Sequence, residues 1–178
     1  FAGPLAGTAS LLTVHNLAYQ GIFPASALAY AGIPERLFHP HGVEYYGRIN
    51  LLKAGLLFAD AITTVSPRYS EEIRTRAFGE GLDGVLRERS AVVHGILNGV
   101  DLERWNPETA PFLPARYSAG APEGKARCKE ALLQAFGLEG GPAVPLFATI
   151  SRFADQKGFD LIAASLPALA ARGLRYCI

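Results

Sequence analysis

Arg152 and Lys157 stand five positions apart in the stretch SRFADQKG (residues 151–158), between an apolar run, Val144 to Ile150, and a helix-like stretch, Phe159 to Ala171. Arginine offers a planar fork of donors and lysine a compact charge, so the pair suits a diphosphate. A loop that leaves a parallel strand and enters a helix also presents free N–H groups and the positive end of the helix dipole. The alternative is two solvated charges on a surface loop, the usual fate of Lys and Arg. His15 is the second candidate, because it falls where the apolar run SLLTV (residues 10–14) ends. In an open α/β sheet, ligands gather at the carboxyl ends of strands. A structural loop histidine is the alternative there. Asn98 closes another apolar run, AVVHGIL (residues 91–97), and its simplest reading is an Asn-Gly turn with Gly99.

Other constellations carry less. GEGLDG (residues 79–84) matches G-x-G-x-x-G by letter, but the dinucleotide fingerprint needs a strand feeding its first glycine. Here a helix precedes it, which points to a mobile surface loop whose glycines allow positive φ or close approach of a ligand. His39 and His41 flank Pro40 with Glu44 nearby, yet no third ligand of standard spacing follows, so they read as surface histidines and no metal site is expected. His94 lies inside an apolar run and reads as a core histidine. Cys128 and Cys177 have no C-x-x-C neighbour, so two free thiols in a reducing cytoplasm are expected.

These residues need elements to position them. Strands are expected at residues 10–14, 61–65, 91–97 and 144–150, and in the final LRYCI. Helices are expected over residues 49–61, from Ser66-Pro67 to about Arg76, over 125–138, and over 159–173 with a kink at Pro167. Strands alternating with helices argue for an α/β fold with parallel sheets. The Pro-rich stretch after Val100 reads as a connection. The domains are therefore expected at residues 1–100, 101–124 (the connection) and 125–178.

Composition excludes several classes. The chain has 178 residues, net charge +1, 49% hydrophobic and 19% charged residues, with 13 Arg and 4 Lys. No basic stripe offers a nucleic-acid footprint, and no run approaches a membrane span. The sequence holds no Met and stops within an apparent strand, so it is expected to be an internal piece of a longer protein.

Five segments taken in order, TVHNLAYQGIFP, LKAGLLFADAITTVSPRYSEEI, GLDGVLRERS, GILNGVDLERWNP and ISRFADQKGFDLI, resemble the bacterial glycogen synthases, which are similar to plant starch synthases. The resemblance runs from about Ser10 to the end. It implies a GT-B architecture, two Rossmann-like domains facing a cleft, both incomplete in this chain. It also implies transfer of glucose from an ADP-glucose donor to the non-reducing 4-hydroxyl of an α-1,4-glucan acceptor, with retention and without metal or other cofactor. Arg152 and Lys157 match the cationic pair on the donor diphosphate. His15 matches the histidine against the donor glucose, and Asn98 an asparagine at the sugar. The catalytic set implied is thus His15, Arg152 and Lys157, with Asn98 binding substrate. A Lys-Gly-Gly-Leu-like donor loop and an acceptor-side aspartate are expected upstream, and a glutamate motif downstream. The piece alone is therefore expected to be poorly soluble and inactive. The rival expectations are a UDP-sugar transferase of the same architecture and a noncatalytic glucan-binding module.

Overall fold

The computed structural model describes residues 7–178, which divide into two compact units meeting at Gly99 and Val100. The first unit contains β1 (Leu11–Val14), β2 (Ile22–Pro24), α1 (Ala27–Tyr30), β3 (Glu44–Tyr45), β4 (Arg48–Asn50), α2 (Leu51–Phe58), β5 (Ala61–Thr64), α3 (Pro67–Glu72), α4 (Asp83–Glu88) and β6 (Val93–Gly95).

β1, β5 and β6 form a parallel sheet with β5 at its centre. The register pairs Val14 with Thr64 and Thr64 with Gly95, so the three strands end in one row. The β-branched run AITT favours the extended backbone at the centre. Ile62 and Leu56 are fully buried and pack with Val14, Ile73, Leu86 and Val93 into the main core. β2, β4 and β3 make a small antiparallel sheet that the alternating pattern did not announce. Its strand β4 takes Ile49 and Asn50 out of the helix expected over residues 49–61, which is left as Leu51–Phe58. Asn50 instead ends β4 and caps α2, its Oδ1 accepting the Lys53 amide at 2.9 Å.

Other boundaries also shift. α3 stops at Glu72 rather than near Arg76, and a 3₁₀ turn over Ser90–Val92 shortens the third strand to Val93–Gly95. His94 is exposed, not a core residue: strand alternation sends Val93 inward and His94 outward, and β6 lies at the sheet edge. Asn98-Gly99 makes no turn: residues 96–100 form neither a turn nor a regular element, and the Ile96 amide is bonded to the Thr64 carbonyl at 2.8 Å.

Asp60 ties the starts of β1 and β5 together. Ser10 donates to one Asp60 carboxylate oxygen from its amide at 2.6 Å and from its hydroxyl at 2.8 Å. The amide donor above all, then the hydroxyl, holds the Asp60 carboxyl below the usual carboxylate range. A depressed folded value means the stabilisation is present above the unfolded value of about 3.9 and is lost as pH falls through the folded one. Asp60→Asn should therefore flatten the acid limb of the stability curve, read as urea midpoints between about pH 2 and pH 6. Parallel curves for the two proteins would refute the linkage.

The second unit contains α5 (Gly124–Ala135), β7 (Leu146–Ala148), α6 (Phe159–Ala171) and β8 (Arg175–Cys177). β7 and β8 pair in parallel around a stacked Phe147 and Tyr176, whose ring centroids lie 6.3 Å apart. α6 runs on through Pro167.

Candidate functional site

In the first unit the site is built from the ends of strands. Thr64 donates its hydroxyl to the Val14 carbonyl at 2.9 Å, fixing the last residue of β1. His15 follows immediately and is exposed. The loop beyond it is pinned from below. Asn16 Oδ1 accepts the Ala18 amide at 3.0 Å, and buried Leu17 donates its amide to the Tyr69 hydroxyl at 3.1 Å. Tyr69 is itself placed by the α3 cap, where Ser66 Oγ accepts the Tyr69 amide at 2.8 Å and Pro67 occupies the first turn. Asn98 lies three residues past the end of β6 and is exposed. His15 and Asn98 therefore extend from the same carboxyl edge of one parallel sheet.

In the second unit Arg152 and Lys157 are both exposed in the loop between β7 and α6. The loop closes with a 3₁₀ turn, Asp155–Lys157, in which the Lys157 amide bonds the Ala154 carbonyl at 2.9 Å. Gly158 then takes a left-handed conformation, φ 68°, where side chains are disfavoured, and leads directly into α6. Phe153 and Phe159 pack across the loop with centroids 4.6 Å apart. Lys157 therefore sits one residue from a helix of 13 residues whose first amides have no intrahelical partner. Residues 151–160 carry Arg152 and Lys157 against Asp155 and Asp160, so their formal charges cancel. An anion here would be held by directed N–H donors rather than by a general positive field.

A polar cluster beneath the His15 loop escaped the sequence reading. Asn50 is fully buried and donates to Gln20 Oε1 at 2.6 Å, and Gln20 donates to the Glu80 carbonyl at 2.8 Å. Lys53 is buried and donates Nζ to the carbonyls of Pro40 and Glu44, each at 2.5 Å. Burial lowers the Lys53 pKa, against which Glu44 pulls upward. The available signal was Asn50 just ahead of a helical run, an N-cap pattern. The same cluster reaches the GEGLDG loop, which is anchored by buried Leu82 and by Gln20. His39 and His41 are exposed, and among the described residues no group of three His, Cys, Asp or Glu side chains could hold a metal.

Residues 2–88 match the starch synthase catalytic domain family. The glycogen synthase of Myxococcus xanthus is 55% identical over 93% of the chain and 35% of its own length. That of an Anaeromyxobacter species is 52% identical over 96% of the chain and 36% of its own. The catalytic domain of starch synthase IV from Arabidopsis thaliana, solved with ADP and acarbose, superposes with a TM-score of 0.87 at 36% identity, over 94% of this chain and 35% of that one. The fold class is that of the GT-B glycosyltransferases. Within that class, the chain is similar over nearly its whole length to glycogen and starch synthases, and it spans about a third of the length of the relatives it matches.

Proposed function

We propose that the intact protein to which this chain contributes transfers glucose from ADP-glucose to the non-reducing end of an α-1,4-glucan. The observation that carries the reading is the likeness, over 94% of the chain, to a starch synthase bound to ADP and acarbose. The C1–O bond to the donor phosphate breaks, and ADP leaves with the electron pair. The acceptor 4-hydroxyl forms the new C1–O bond and gives up its proton to the departing phosphate, with the anomeric configuration retained. Arg152 and Lys157 hold the diphosphate and neutralise charge as ADP departs, an electrostatic contribution that peaks where charge develops. His15 and Asn98, on the carboxyl edge of their sheet, position the glucose. The reaction needs no metal or cofactor. It belongs in the cytoplasm, in keeping with the free thiols of Cys128 and Cys177. Among the described residues, no helix is long and apolar enough to cross a membrane.

The test compares glucan elongation by the intact protein with ADP-glucose and with UDP-glucose. Faster elongation from ADP-glucose is the expected result. Preference for UDP-glucose would reassign the donor, and elongation from neither would leave a glucan-binding module.

A further inference from the structure

We propose that Tyr69 and Gln20 are positioning residues that hold the His15 loop in its working conformation. The inference rests on the placement of His15 at the donor sugar. His15 itself is exposed, so its backbone must be set by what lies on either side. Upstream, Val14 is fixed by the Thr64 hydroxyl. Downstream there are two posts. Tyr69 is partly buried and accepts the Leu17 amide through its hydroxyl at 3.1 Å. Gln20 is buried and joined to Asn50 and to the Glu80 carbonyl, while the Leu52 amide bonds the Gln20 carbonyl at 3.0 Å.

The Gln20 post couples two loops. Glu80 adopts φ 49°, a left-handed conformation costly for a residue with a side chain, and its carbonyl is the one Gln20 binds. Next to it, Gly81 has φ 78°, and a Cβ there would lie 2.3 Å from the Tyr45 hydroxyl. The GEGLDG stretch is thus shaped by the protein's own contacts, which account for Gly79 and Gly81, where a Cβ would clash with Asp83 and Tyr45, but not for Gly84. Gln20 links that strained turn to the segment bearing His15. A displacement of about 1 Å at a reacting group can lower a rate by as much as 10²-fold, so loosening either post should be felt in turnover more than in donor binding.

The experiment uses the intact protein with Tyr69→Phe, Gln20→Leu and His15→Ala, alone and combined. Tyr69→Phe removes a single oxygen and keeps the ring, so it remains folded, which thermal melting checks. Each positioning variant should lower kcat about tenfold while KM for ADP-glucose changes less than about twofold. Combined with His15→Ala, neither should lower the residual rate further, because each acts through that loop. Wild-type kcat in Tyr69→Phe and Gln20→Leu beside a disabled His15→Ala would overturn the positioning role alone. Losses that multiply in the double variants would overturn it too. Wild-type kcat in His15→Ala would instead strike down the placement of His15 at the sugar.

Discussion

Lys157→Ala in the intact protein is expected to lower kcat/KM for ADP-glucose roughly 10- to 200-fold, equivalent to one charge-assisted hydrogen bond to phosphate of about 1.5–3 kcal/mol. The backbone around Lys157 supports a single-residue effect. The 3₁₀ turn and Gly158 set the start of α6, and the exposed Lys157 side chain accepts no structural load there. Its removal should leave melting temperature unchanged. Because ADP carries the same diphosphate as the donor, competitive inhibition by ADP should weaken in the same variant. Arg152→Ala should behave similarly, and Arg152→Lys should recover only part of the loss, since an ammonium cannot present the paired donors of a guanidinium. Asp155 and Asp160 balance the two cations in formal charge, so the defect should persist at raised salt, unlike a long-range steering effect. Wild-type kinetics and wild-type ADP inhibition in Lys157→Ala would remove the diphosphate from this loop.

The sequence exposed this loop because its logic is local. A β-branched or apolar run, a short polar joint and an apolar helix-like stretch announce a strand, a loop and a helix start, and the two candidate cations, Arg152 and Lys157, lie in the joint. The same holds for His15, which directly follows β1, and for Ser66-Pro67, which caps α3 as its residue types dictate. The misplaced elements share a different cause. β2, β3 and β4 are strands of two or three residues, too short for an alternation to register. Their pairing depends on partners as far apart as Ile22 and Asn50. His94 looked like core because its neighbours are apolar, but only the sheet order makes β6 an edge with one outward face. The cluster of Gln20, Asn50 and Lys53 was invisible for the same reason: Gln20 and Asn50 lie 30 residues apart and meet through folding. Polar residues are assigned to the surface by type, and only their partners reveal that these are buried and satisfied.

Asn50→Ala should destabilise the protein by about 2–4 kcal/mol, through two losses that the structure separates. The first is the cap of α2, worth about 1 kcal/mol, because the Lys53 amide loses its acceptor. The second is the donor to Gln20 Oε1, which leaves a buried acceptor unpaired at about 1–3 kcal/mol. Asn50→Asp distinguishes them, since a carboxyl keeps the cap and changes only the group facing Gln20. When ionised it has no proton to donate and is buried without a compensating charge directed at it, so its pKa should be raised in the folded protein. A raised folded value gives stability that is full below the unfolded value and is lost as pH rises through the folded one. The Asn50→Asp deficit relative to wild type should therefore grow between about pH 5 and pH 8, while the Asn50→Ala deficit stays level. Denaturant midpoints at the two pH values read both. A level Asn50→Asp deficit would mean that the new carboxylate reaches water, and the polar cluster under the His15 loop would then be open to solvent rather than sealed.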